Sequence, residues 1–337
     1  MTAARGIREE TGELREKIRA LLRERRAILL AHNYQRPEVQ DIADLCGDSL
    51  ELSIKASQTD KEVIVFCGVH FMAETASILC PDKKVLLPVS GAGCPMADMI
   101  TAEKLLRKRE EMSKTGPVVV ISYVNTTAQV KAESDLCCTS ANAVQVAGSV
   151  DPSFQIFMTP DRNLAQYTRR HSNRDITYWD GYCPIHNNLS VDQVSKVRAA
   201  HPGAVFLAHP ECPPEVLDLA DQVKSTSGMI AYARESGARE FIIGTEAGIL
   251  HPLSKANPDK RFIPADPAMI CHDMKKIGLK EIVTALETLQ PEVKVPEDVR
   301  ERAVLAVNRM LSIPSGYRVS DNDFGKARGR NRSKSYP

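Results

Sequence analysis

The sequence predicts an α/β protein built from three similar β-α-β-α-β units, each a three-layer arrangement with a parallel sheet, set about a pseudo-threefold axis. Three observations predict it. A stretch of 23 residues occurs three times, short aliphatic runs alternate with amphipathic ones, and each copy reaches a cysteine at nearly the same distance. The stretch is clearest at residues 204–226, AVFLAHPECPPEVLDLADQVKST. It lies without a gap on residues 27–49, AILLAHNYQRPEVQDIADLCGDS, and more faintly on residues 118–140, VVVISYVNTTAQVKAESDLCCTS. The next apolar runs, at 64–69, 155–160 and 241–246, keep the same shifts. Measured from His32, Tyr123 and His209, the cysteines Cys94, Cys183 and Cys271 follow 62, 60 and 62 positions later.

Taken in order, Ile7, Leu14, Ile18, Leu21 and Leu22 among charged residues predict an amphipathic helix leading into the first strand at 27–31. Residues 37–55 read as a single helix with Val39, Ile42, Ala43 and Leu45 on one face. A strand at 64–69, a helix at 71–79 stopped by Pro81, and a strand at 85–89 complete the unit. The strands are almost continuously apolar, which suits a parallel sheet covered on both faces. Residues 96–114 read as a charged helix closed by Gly116-Pro117. The division expected is an N-terminal helix at 1–26 and repeats at 27–116, 117–202 and 203–290. A helical segment at 291–324 is expected to pack back on an earlier unit, and a basic tail at 325–337 to be disordered.

Composition narrows the function. Aromatic residues make up 5% of the 337 residues and there is one Trp, so the cores must be mainly aliphatic. A net charge of +1 argues against a nucleic-acid or acidic-membrane surface. There is no apolar run long enough to span a bilayer, and the charged N-terminus is unlike a signal peptide. A cytoplasmic protein is expected, and in that reducing compartment nine cysteines point to metal or catalysis rather than disulfides.

In parallel α/β units, ligands collect beyond the carboxyl ends of the strands. Each copy places a pair of side chains there: His32 with Tyr34, Tyr123 with Asn125, and His209 with Glu211. Each adds a hydroxyl 17 residues after the first of the pair, at Ser49, Ser140 and Thr226. A fold needs the apolar strand and the helix start, but it has no need of His, Tyr or Glu at the strand end. These are therefore candidate site residues. Strand ends pointing at a common axis would bring Cys94, Cys183 and Cys271 together, each before a helix whose N-terminal dipole favours thiolate. Three thiolates without a fourth equivalent suit a [4Fe-4S] cluster with one open iron better than structural zinc. Cys46, Cys67, Cys80, Cys137, Cys138 and Cys212 lie in apolar stretches and read as buried thiols. His186 and His272, without counterparts in the other copies, read as supporting or surface residues rather than ligands.

At these residues the chain resembles the quinolinate synthase family. The motifs are AHNYQ at 31–35, FCGVHFMAETA at 66–76, GCPM at 93–96, SYVNT at 122–126, GYCPIH at 181–186, AHPEC at 208–212, STSGM at 225–229 and CHDMK at 271–275. The resemblance implies three α/β domains around a [4Fe-4S] cluster and a dehydrating condensing transferase of NAD biosynthesis. Iminoaspartate and dihydroxyacetone phosphate would give quinolinate, phosphate and water. It also implies a functional link to an aspartate-oxidising enzyme, with no nucleic-acid or membrane partner. Cys94, Cys183 and Cys271 would be the cluster ligands. The substrate set would be His32, Ser49, Tyr123, Asn125, Ser140, His209, Glu211 and Thr226, with Tyr34, Val124 and Pro210 lining it. Glu211, Tyr34, Tyr123 and His209 would carry the acid–base work. Some members carry further cysteines in a Cys-x-x-Cys pattern near the third ligand. Cys271 stands alone in AMICHDMKK, so no disulfide switch is expected. Two other classes stay open on the residues themselves. One is a cluster-bearing dehydratase of hydroxy acids, which would not use dihydroxyacetone phosphate. The other is an iron or oxygen sensor, which would leave the strand-end residues without a purpose.

Overall fold

The computed structural model describes residues 2–313, with side chains from Glu10 onward. The tail at 325–337, the last part of the 291–324 segment and the side chain of Ile7 lie outside the described residues.

The chain opens with helix α1 (Thr2–Glu24) and enters the first unit: β1 (Ala27–His32), α2 (Pro37–Gln40), β2 (Leu45–Gly47), α3 (Ser49–Gln58), β3 (Val63–Cys67), α4 (His70–Leu79) and β4 (Lys84–Leu86). A 3-10 turn at Ala97–Met99 and helix α5 (Ala102–Ser113) lead to the second: β5 (Val118–Tyr123), α6 (Ala128–Ala132), β6 (Leu136–Cys138), α7 (Ala143–Ser149), β7 (Gln155–Thr159), α8 (Arg162–Ser172) and β8 (Ile176–Tyr178). Helices α9 (Pro184–Asn187) and α10 (Val191–Ala200) precede the third: β9 (Val205–Ala208), α11 (Pro214–Leu217), β10 (Gln222–Val223), α12 (Thr226–Glu235), β11 (Glu240–Gly244), α13 (Leu250–Ala256) and β12 (Arg261–Pro264). Helices α14 (Leu279–Thr288) and α15 (Glu297–Ser312) close the described chain.

The sheets have the orders β2-β1-β3-β4, β6-β5-β7-β8 and β10-β9-β11-β12, and all neighbours are parallel. The architecture is therefore three-layer α/β with three similar units, as the repeat predicts. Its difference is a fourth, edge strand in each sheet. The run at 37–55, expected as one helix, is broken by β2. The cause is a repeated aspartate. Asp44 donates its N–H to the Leu29 carbonyl at 2.9 Å and accepts the Leu29 N–H on its side chain at 2.8 Å, which pulls the chain out of helix and onto β1. Asp135 does the same to Val120 and Asp221 to Phe206, with side-chain bonds of 2.9 and 2.7 Å. The helix that follows β2 then starts afresh, capped by Asp48 in a capping box with Glu51.

Strand register refines the repeat. Ala27 pairs with Val63 and Val205 with Phe241, a separation of 36, whereas Val118 pairs with Gln155, a separation of 37. The second unit thus holds one extra residue before its third strand. Aligned this way, Val69, Asp161 and Glu246 occupy one position, and Gly68, Pro160 and Thr245 the one before it.

One apolar core runs through all three units, drawing on Leu30, Ile121 and Ile243 in the central strands. The units also meet through polar seams. Asn33 donates its amide to Thr226 Oγ1 at 3.0 Å, and Ser225 Oγ lies 3.2 Å from Asp48 Oδ2. α1 lies on α14 and β1, and α15 lies on α6 and β6 with one edge on α4. Among the described residues, no helix is long and apolar enough to cross a membrane.

Candidate active site

The carboxyl ends of the three central strands converge on one cavity of about 210 Å³. The first unit lines it with His32, Tyr34 and Ser49, the second with Tyr123, Asn125 and Ser140, and the third with His209, Glu211 and Thr226. Cys94, Cys183 and Cys271 line the same cavity, although Cys94 and Cys271 are 177 positions apart. His32 and Tyr123 end strands β1 and β5, His209 directly follows β9, and the other residues lie in the loops and helix starts that follow the strands. Ser49 and Thr226 open α3 and α12, directly after the caps Asp48 and Ser225.

Val124 and Pro210, expected to line the site, do not reach its wall. Val124 is 1% exposed and its N–H is taken by the Cys138 carbonyl at 2.9 Å. Val124 packs in the apolar core instead. Its counterpart in the first unit, Asn33, holds Thr226 from behind.

The two histidines are set alike. His32 Nδ1 accepts the Tyr34 N–H at 3.2 Å, and His209 Nδ1 faces the Glu211 N–H at 3.4 Å. That places the proton of each neutral ring on Nε2, free to donate toward the cavity. Burial lowers both pKa values to about 3 against a partial pull upward by Glu211, so both rings are neutral near pH 7. They can orient a carboxylate by hydrogen bonding, but they do not neutralise one as cations.

Glu211 is 3% exposed, and burial alone would raise its pKa. His186 and His209 overcome that and hold it down to about 2. Its Oε2 lies 2.7 Å from His186 Nδ1 and 3.7 Å from His209 Nδ1, and Tyr123 donates to it. Burial, then the Glu211 charge, pushes the phenols of Tyr34 and Tyr123 well above the usual tyrosine range, so both keep their protons. Asn125 Oδ1 is buried and lacks a hydrogen-bond partner, an acceptor left open on the cavity wall.

The cysteines repeat a finer pattern. Cys94 Sγ accepts backbone N–H bonds from Met96 and Ala97, Cys183 Sγ from His186, and Cys271 Sγ from Asp273 and Met274. Their own backbones are pinned by carboxylates. The Cys183 N–H donates to Asp161 Oδ2 and the Cys271 N–H to Glu246 Oε1, both at 3.1 Å. Asp161 and Glu246 are the pair that the corrected register makes equivalent. The first unit has Val69 there, and its cysteine loop is held from the third unit by Gly93 N–H to Asp273 Oδ1 at 3.3 Å.

The expectation of ready thiolates is not met in the bare chain. Burial pushes the Cys94 thiol up to about 12, Cys183 well above its ordinary value, and Cys271 upward too. The helical turns that follow, Ala97–Met99, Pro184–Asn187 and Asp273–Lys275, are too short for their dipoles to outweigh desolvation. Three half-buried thiols that already collect N–H donors fit a cationic group that would take them as thiolates.

His186 is the residue that the repeat undervalued, because it has no counterpart in the other copies. It is 2% exposed and lines the cavity, with Nδ1 3.1 Å from Cys183 Sγ and Nε2 2.8 Å from Thr245 Oγ1. Cys183, His186 and Glu211 offer ligand atoms within 4.8 Å of one another, a set able to hold a metal ion. His272 is exposed at the cavity edge. The remaining six cysteines are free and stand away from the cavity, and all but Cys46 are buried.

Residues 16–312 match the family model described as quinolinate synthetase A protein. The quinolinate synthase of Geotalea uraniireducens is 56% identical over 303 residues, covering 90% of this chain and 98% of that one. That of Geobacter metallireducens is 55% identical over 301 residues, covering 89% and 98%. That of Methanosarcina barkeri is 51% identical over 304 residues, covering 90% and 99%. With a match across nearly the whole described chain, this protein belongs to the quinolinate synthetase A family.

Proposed function

We propose that this protein is a quinolinate synthase, condensing iminoaspartate with dihydroxyacetone phosphate to quinolinate, phosphate and water in NAD biosynthesis. Cys94, Cys183 and Cys271 would hold a [4Fe-4S] cluster. The observation that carries the reading is the meeting of three thiols, each with backbone N–H donors, in the cavity that also holds Glu211. When bound, such a cluster supplies an iron with an open position, a Lewis acid for a substrate oxygen.

The side chains divide the remaining work. Glu211, ionised at neutral pH and buried, is the general base for proton removal on the way to the aromatic ring. Tyr34 and Tyr123 retain their protons and would donate to developing oxyanions, Tyr123 by turning its proton from Glu211 to the substrate. His32 and His209 donate from Nε2 to the carboxylates that iminoaspartate brings. Ser49 and Thr226, each at the first position of a helix, hold carboxylate or phosphate oxygens through hydroxyl and backbone N–H, and Ser140 holds them through its hydroxyl. Asn125 turns its open amide oxygen to a substrate hydroxyl or N–H. Iminoaspartate is unstable in water, so an aspartate-oxidising enzyme is the partner that would supply it.

The test is anaerobic purification with iron and sulfide counts on the wild type and on Cys94→Ala, Cys183→Ala and Cys271→Ala, with quinolinate measured from the two substrates. About four iron and four sulfide, lost in every variant, together with quinolinate from the wild type, are expected. Zinc without sulfide would favour the Cys183–His186–Glu211 set as a mononuclear site. A cluster surviving any one substitution, or no quinolinate from the loaded wild type, would overturn the reading.

A further inference from the structure

Behind the cavity wall, Thr245 Oγ1 lies 2.5 Å from the Tyr34 hydroxyl and 2.8 Å from His186 Nε2. Tyr34 comes from the first unit, His186 from the second and Thr245 from the third. Thr245 is 1% exposed and does not line the cavity, whereas Tyr34 and His186 do. The positions equivalent to Thr245 are Gly68 and Pro160, neither of which has a polar side chain, so the strand end does not need a hydroxyl to fold. The hydroxyl is there for what it touches.

Hydrogen-bond counting sharpens this. His186 Nδ1 faces the Glu211 carboxylate at 2.7 Å, which leaves Nε2 to find its own partner. A threonine hydroxyl has one proton to give and lone pairs to accept with, so Thr245 can satisfy Nε2 and the Tyr34 hydroxyl together. Without it the nearest alternative is a direct contact, and Tyr34 Oη to His186 Nε2 is 3.5 Å, at the limit of a hydrogen bond. Closing that gap requires the Tyr34 hydroxyl or the His186 ring, and with it Glu211, to move.

We propose that Thr245 is a positioning residue, whose hydroxyl fixes the Tyr34 hydroxyl and, through His186, the Glu211 carboxylate in one hydrogen-bonded row across the three units. The inference rests on the reading of Tyr34 and Glu211 as proton-handling groups of quinolinate formation.

Thr245→Val removes the hydroxyl at constant shape, and Thr245→Ser retains it. Wild type, Val and Ser proteins are purified anaerobically, their iron and sulfide counted, and kcat and KM for quinolinate formation measured. The expected result for Val is a full cluster, KM within about threefold of wild type and kcat lowered about 10- to 100-fold, with Ser returned to within about threefold. Wild-type kcat in the Val protein would overturn the proposal. So would a loss shared by Val and Ser, or a loss of cluster in Val, because each marks a packing or retention role rather than a hydroxyl that places its neighbours. A wild type that carries its cluster but makes no quinolinate is a separate outcome. It removes the functional reading itself before Thr245 is reached.

Discussion

Acidification should destabilise the cluster-free protein through His32 and His209. Each has an ordinary pKa of 6.5 that burial lowers to about 3 in the folded chain. The unfolded chain therefore binds protons in the window between these values while the folded chain does not, and stability falls as pH falls through it. Each pH unit below 6.5 costs about 1.4 kcal/mol per histidine, so a move from neutrality to about pH 5 removes about 2 kcal/mol for each and about 4 kcal/mol for both. Glu211, held down from 4.5 to about 2, contributes stability that is still present at pH 5 and is lost as pH falls from about 4.5 to about 2. The assay is urea unfolding of the apoprotein near pH 7 and near pH 5, for the wild type and for the His32→Gln, His209→Gln double variant. The wild type should lose about 4 kcal/mol more than the variant, whose amides cannot titrate. Equal losses in the two proteins would mean that these rings protonate in place, and the neutral-donor role assigned to them would go too.

Two further outcomes are expected. Glu211→Gln should keep its iron and sulfide and lose about 10²- to 10⁴-fold in kcat, the range of a missing general base; a near-normal rate would remove Glu211 from that role. Asp135→Ala strips the buried Val120 N–H of its acceptor and breaks a two-pronged bond from Arg109, with distances of 2.8 and 2.7 Å. It should cost about 2–4 kcal/mol in chemical denaturation. Asp44→Ala, at a more open place with a side chain 35% exposed, should cost less, and the reverse order would contradict the account of the edge strands.

Much of this was readable because the chain carries its own comparison. Side chains that recur in kind at the strand ends, from His32 to Thr226, could be told from those the sheet requires, and all of them reach the cavity. What escaped has physical reasons. β2, β6 and β10 are two or three residues long, too short to leave an alternating or apolar signature, and the aspartates that make them looked like ordinary helix polar positions. The extra residue before β7 hid the equivalence of Asp161 and Glu246, which is visible only from strand pairing. His186 reads from the sequence only as a supporting or surface residue and Thr245 does not stand out at all, because each occurs in one unit alone and repetition is blind to what is not repeated. Val124 and Pro210 show the opposite error. Both lie just past the end of their strands, β5 and β9, and adjacency in the chain to residues on the wall is no guide there.

The strand pairings within a sheet join residues at most 37 positions apart, yet the cavity joins residues from His32 to Cys271. Bringing the cavity walls together therefore closes longer loops, at a larger entropic cost, than pairing the strands of any one sheet. A nascent chain has all the strand ends of its first unit long before Cys271 leaves the ribosome, and for that interval Cys94 has no third-unit partner. A group joining the three thiols would tie together segments that follow three separate sheets.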